Sequence, residues 1–109
     1  MDDLVAKLIS CKQEIVLETS TENLLELEER LKNTKFVFVT FSQTRGGTEL
    51  GINLDDSLTL LDGADFKQGI GNIRIVGTCE LNYHKVKCIG DIDLATRKGN
   101  GHLEVISEQ

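Results

Sequence analysis

Cys79-x4-His84-x3-Cys88 is the one cluster of soft ligands in the sequence, and a hairpin over residues 73–94 sets all three side chains on one face. Two thiols and an imidazole invite a zinc reading. Zinc, however, usually draws its thiolates from Cys-x2-Cys turns that wrap the backbone round the ion, which hairpin cysteines cannot do, so no metal is expected. A nucleophilic thiol needs its pKa lowered by a nearby His, a cation or a helix N-terminus. His84, Lys85 and Lys87 place positive charge near Cys79, but no third group orients them, and Cys79 and Cys88 read as small core hydrophobes.

The remaining chemistry-bearing groups read the same way. Ser10, Ser20, Ser42, Ser57 and Ser107 sit in no Gly-x-Ser-x-Gly elbow. Asp91-x-Asp93 puts two carboxylates on one strand face, as a Mg²⁺ or Ca²⁺ pair requires, yet Arg74 is expected opposite Asp91 and turns the pair into a rung of a charge ladder. Gly69-Ile70-Gly71-Asn72 precedes a strand, whereas phosphate cradles lie between a strand and a helix N-terminus. No cofactor is expected. Two hairpin tips remain as contact candidates. Arg45 stands beside Gly46-Gly47, where a guanidinium can clamp a carboxylate or phosphate, and Tyr83, His84, Lys85 and Lys87 form a basic, aromatic tip on an acidic chain.

Those groups need elements to hold them. Leu4, Leu8, Cys11 and Ile15, broadened by Val5, Ile9 and Val16, predict an amphipathic helix over residues 2–18, although Glu14 to Glu18 fits a short strand equally well. Thr19-Ser20-Thr21-Glu22 offers a capping box for a second helix with Leu24, Leu27 and Leu31 on one face and Glu26 four residues before Arg30. From Lys35 the period becomes two. Residues 35–42 are apolar on both faces, which predicts a strand covered on each side or one face held for a partner. Arg45-Gly46-Gly47 supplies the positive-φ positions of a tight hairpin to Thr48–Leu54, and residues 55–72 read as irregular.

The C-terminal meander permits a register test, because cross-strand partners must make chemical sense. With Asn82-Tyr83 as the turn, Glu80 faces Lys85 and Arg74 faces Asp91, while Leu81/His84, Cys79/Val86, Ile75/Gly90 and Ile73/Ile92 form the other face. A loop at Lys98-Gly99-Asn100-Gly101 then pairs Arg97 with His102 and Leu94 with Val105.

The 109 residues carry a net charge of −6, with eight acids and four bases in residues 1–34. That balance opposes nucleic-acid and anionic-membrane surfaces, which need clustered Lys and Arg. With no apolar run long enough to span a bilayer, an acidic N-terminus and three cysteines outside any disulfide framework, the chain is expected in the cytoplasm. The predicted fold is a single α+β domain over 1–109. Two N-terminal helices (about 2–33) pack on one face of a five- or six-stranded antiparallel sheet (about 35–107), a hairpin plus a C-terminal meander. The expected function is that of an accessory or interaction protein without catalysis, acting through a protein partner or as a homodimer. The alternative is a small-molecule-binding domain, possibly a small enzyme, with a cavity for an apolar ligand between helices and sheet near Cys79, His84 and Cys88.

Overall fold

The computed structural model describes residues 3–10, 12–17, 24–44, 46–81 and 84–108. Its elements run α1 (Asp3–Ser10), β1 (Gln13–Leu17), α2 (Leu24–Glu29) with a π-helical turn (Arg30–Thr34), β2 (Phe36–Phe41), β3 (Thr48–Leu54), β4 (Ala64–Asp65), β5 (Ile70–Leu81), β6 (His84–Asp93) and β7 (Lys98–Glu108). The capping box expected at Thr19–Glu22 lies outside the described residues.

The open sheet covered by two helices is overturned. Strands β1, β2, β3, β5, β6 and β7 are neighbours in that order, and β7 pairs back onto β1, so six antiparallel strands close into a barrel. The cause lies at residues 13–17. There Gln13, Ile15 and Leu17 alternate with Glu14 and Val16 as a strand and not as the tail of the first helix. This strand pairs on both edges, Ile15 with Phe41 on one side and Gln13 with Gly101 on the other. A closed sheet has no free inner face to offer a helix, and full closure removes most sheet edges.

The helices cap the barrel instead. Helix α1 buries Val5 and Leu8, packs against β7 and is tied to the β2–β3 connection by Lys7 Nζ donating to the Gln43 carbonyl at 3.3 Å. The second helical stretch brings Leu27 and Leu31 into the core at the other end, with Phe66. Lys32 Nζ lies 5.2 Å from the Phe66 ring centroid. The helical run unwinds through Lys35, whose φ of 57° ends it with the Lys35 N–H on the Arg30 carbonyl at 2.7 Å.

Strand alternation sorts the side chains. Ile15, Leu17, Val37, Val39, Phe41, Leu50, Ile52, Ile73, Ile75, Val86, Cys88, Ile92 and Leu103 are buried in one cluster. Outward positions on β5 to β7 are mostly charged or polar, among them Arg74, Glu80, Lys85, Asp91, Lys98 and Glu104, with Val76, Ile89 and Ile106 as apolar exceptions. Apolar inside and charged outside is the reverse of the polarity of a membrane barrel. Among the described residues no helix is long and apolar enough to cross a membrane.

The β5–β6 register is the one the charge pairs predicted, from Leu81↔His84 to Asn72↔Asp93, including Glu80↔Lys85 and Arg74↔Asp91. The β2–β3 hairpin also stands, with Gly46 and Gly47 at φ of 75° and 76°. The β6–β7 register does not. Asp93 pairs with Lys98 and Gly90 with Gly101, so the turn is residues 94–97, fastened by the Arg97 N–H on the Asp93 carbonyl at 2.7 Å. Gly101 belongs to the strand because it faces inward: a Cβ at Gly90 or Gly101 would come within 2.6 and 2.9 Å of Ile15 Cδ1. Ile15 fills the space left by this glycine pair.

Candidate functional site: the outer aromatic face and the barrel seam

Strand β2 carries apolar residues on both faces because it serves both sides of the wall. Val37, Val39 and Phe41 face the core, while Phe36, Phe38 and Thr40 face out. The two outward rings meet edge to face, with centroids 5.3 Å apart at 86°. Their platform is Gly51 on β3, cross-strand from Phe38, where an added Cβ would stand 2.6 Å from the Phe36 ring. The ring therefore lies on bare β3 backbone, an arrangement in which an aromatic shields an otherwise weak glycine position in a strand. Phe38 remains 37 % exposed. Carboxylates flank this face at Glu14 and Glu49, and Ser42 Oγ donates to Glu14 Oε1 at 2.9 Å.

Beside this face runs the seam between β3 and β5, and its two halves differ. Along most of its length the outer edge of β5 is served by the stretch that the sequence reading left irregular. The Asp55 N–H bonds the Val76 carbonyl at 2.7 Å. Thr59 Oγ1 donates to that same carbonyl at 3.1 Å and accepts the Val76 N–H at 3.2 Å. Leu60 and Arg74 exchange both backbone bonds at 2.8 and 2.9 Å, the Asn72 N–H reaches the Gly63 carbonyl at 3.2 Å, and β4 pairs with Ile70 and Gly71. Residues 55–65 thus form a strap that substitutes for a strand. Beneath it the outward-facing Val76 is 5 % exposed.

Among the described residues strand β3 itself meets β5 at two pairs, Asn53↔Thr78 and Leu54↔Gly77. Contact there is as close as backbones permit, since a Cβ on Gly77 would collide with the Asn53 carbonyl oxygen and stand 2.5 Å from Ile52 Cγ2. Beyond Thr78 the ladder stops. A groove of about 360 Å³ opens at that point, lined by Asn53, Thr78, Cys79, Glu80 and Lys85.

The sequence-predicted site residues distribute unevenly round this groove. Cys79 and Lys85 line it, and Lys87 stands on the outer face of β6 opposite Thr78. Cys88 is fully buried, cross-strand from Gly77 and Leu103. Burial pushes the Cys79 thiol up to about 11 and the Cys88 thiol up to about 12, so both are protonated at neutral pH and neither is an activated nucleophile. His84 falls on the inner side of the β5–β6 ladder with a buried Nδ1 that has no hydrogen-bond partner among the described residues. The three do not converge as ligands: among the described residues no three His, Cys, Asp or Glu side chains are grouped to hold a metal ion. Arg45 and Tyr83 lie outside the described residues. The connections that contain them, β2–β3 and β5–β6, open at the same end of the barrel.

A second groove, of about 410 Å³, lies under the strap between Leu60, Asp62, Gly63, Asn72, Ile73, Arg74 and Asp91. Two of its charges are matched to each other, with Arg74 Nε and Nη2 donating to the two Asp91 carboxylate oxygens at 2.8 and 3.1 Å. That bidentate pair holds the Asp91 carboxyl below its ordinary range.

Sequence reasoning singled out the two-faced strand but not Gly51 or Thr59. Gly51 has a signal, a lone glycine inside an alternating strand, which marks close approach by a neighbour. Thr59 has none, since a hydroxyl that replaces a strand partner is indistinguishable in sequence from one in a loop. Compared with known proteins, the chain matches no family model and no curated protein.

Proposed function

We propose that this chain is a cytoplasmic interaction module without catalytic activity, which holds a protein partner against the outer face of β2 and β3. The supporting observation is the edge-to-face Phe36–Phe38 pair, laid over Gly51 on the outside of a barrel whose other outward strand positions are mostly charged or polar, with single aliphatic residues such as Ile106 among them. Aromatic rings with polar rims are the usual anchors of protein interfaces, because they bury much area at small entropic cost. The high thiol pKa values agree with a non-enzymatic role.

Site-specific photo-crosslinking tests this reading. A benzoylphenylalanine at position 38 should give discrete adducts in cells of the native source, and the same group at the exposed position 104 on β7 should give none. Equal labelling from both positions, or a strictly monomeric protein with measurable turnover of a small substrate, would remove the proposal.

A further inference from the structure

We infer that the open half of the β3–β5 seam accepts a short extended segment of a second polypeptide, which adds to β3 as an antiparallel strand. The inference rests on the interaction reading above and deepens it by naming the backbone chemistry of the contact.

Ladder alternation fixes which groups are on offer. The Leu54 N–H bonds the Lys35 carbonyl at 2.8 Å, on the β2 side, whereas the Asp55 N–H turns to Val76 on the β5 side. Counting back in twos, Thr48, Leu50 and Ile52 direct their N–H and C=O groups to β2, and Glu49, Gly51 and Asn53 direct theirs to the seam. Asn53 is served by Thr78, where the pairing with β5 ends. Among the described residues nothing pairs with the seam-facing groups of Glu49 and Gly51, which present donors and acceptors at strand spacing along the β3 edge next to the groove. An extended backbone is the chemistry that matches such a row.

The side chains narrow the partner further. A residue opposite Gly51 on the outer face meets the Phe36 ring where β3 has no Cβ, so an apolar β-branched or aromatic residue fits there. Two positions later the incoming strand faces the exposed Glu49, which favours Lys or Arg. The segment thus reads, from N- to C-terminus, apolar, any residue, basic. A single strand suits the groove better than a second barrel, because β5 still stands on its far side at Cys79 and Glu80. The chain's net charge of −6 likewise favours a basic segment over a second copy.

Amide exchange on the isotopically labelled full chain, with the acetylated and amidated pentapeptide Thr-Val-Thr-Lys-Thr as probe, tests the inference. In the free protein the Glu49 and Gly51 amides should exchange about 100-fold faster than those of Leu50, Ile52 and Asn53. Millimolar peptide should slow Glu49 and Gly51 alone, and a peptide N-methylated on its ladder-forming amides should not. Glu49→Pro removes one seam-facing N–H and none of the β2 ladder, so it should abolish the peptide effect while leaving the melting midpoint nearly unchanged. If that variant unfolds, the N-methylated peptide decides. Equal protection at Glu49, Gly51, Leu50 and Ile52 in the free protein, or exchange unaltered by the peptide, overturns strand addition. Protection that rises with protein concentration places a second copy there and equally overturns it. Discrete crosslinks from position 38 alongside either negative result would leave the interaction reading standing and remove only this inference.

Discussion

Two stretches of one seam meet the same physical demand in different ways. Between Ile70 and Val76 the outer edge of β5 is covered by its own chain, with backbone bonds from Asp55, Leu60 and Gly63 and a side-chain hydroxyl from Thr59. Past Thr78 the opposing edge of β3 has no such cover among the described residues, and the Phe36 ring lies over its glycine. A barrel need not be sealed uniformly. Where the strap reaches, edge groups are satisfied internally, and the edge it does not reach is the one at which we propose that another chain adds.

The largest test of this contrast is one substitution made on each side. Gly77→Ala forces a Cβ against the Asn53 carbonyl oxygen, and the backbone there cannot yield without parting β3 from β5. It should cost about 3 kcal/mol in denaturant unfolding. Gly51→Ala meets only the Phe36 ring, which can swing away, and should cost under about 1 kcal/mol. Similar losses at both positions would mean that the seam is equally tight along its length.

Next in size is Thr59→Val, which keeps shape and removes the hydroxyl that serves both polar groups of Val76. A loss of about 1–2 kcal/mol is expected, together with faster exchange of the Val76 amide and no change at Glu49. A response at Glu49 would show that the two halves open as one unit.

The cysteines report on the same boundary, since Cys79 lines the groove and Cys88 is inside the wall. With thiols at about 11 and about 12, Cys79 should be alkylated about tenfold faster than Cys88 near pH 8. Both values are raised above the ordinary 9.0, so their contribution to stability is complete below about pH 9 and is lost as pH climbs towards 11 and 12. Cys88→Ala should flatten that alkaline decline, and thermal melts across this range would measure it.

The smallest effect belongs to Arg74 and Asp91, in the groove under the strap. Asp91 has a lowered pKa, so what the pair contributes is present above the ordinary carboxylate value of 3.8 and disappears as pH falls below it. Both side chains are about half exposed, and the pair is correspondingly weak. Asp91→Asn should lower the melting midpoint slightly at pH 7 and not at all at the acid end.

How much of this was legible in the residues depended on what each feature needed from far away. The β5–β6 register could be read because a two-residue turn joins the strands, and Glu80–Lys85 and Arg74–Asp91 checked each other within a short stretch of sequence. The β6–β7 register was misread because Gly99 and Gly101 resemble turn residues, and what places Gly101 in a strand is Ile15, at the opposite end of the chain. Closure was hidden for a related reason: five residues at 13–17 fit a helix or a strand until both edges find partners. At the site, the two-faced character of β2 was visible and the identity of its platform was not. The soft-ligand cluster was correctly placed on one hairpin face, but the interior setting that leaves its thiols protonated comes from the closed wall.

That closing pair also sets an order of events. Strand β1 precedes the other five barrel strands and β7 follows them, so the ladder between the two is a contact of high sequence separation whose loop-closure entropy must be met late. Until β7 emerges, β1 to β3 form a partial sheet with β1 exposed along one edge, vulnerable to pairing with neighbouring nascent chains. A circular permutant that links the end of β7 to the start of α1 and opens the chain within the strap should therefore refold faster and aggregate less, because it brings β7 and β1 close in sequence.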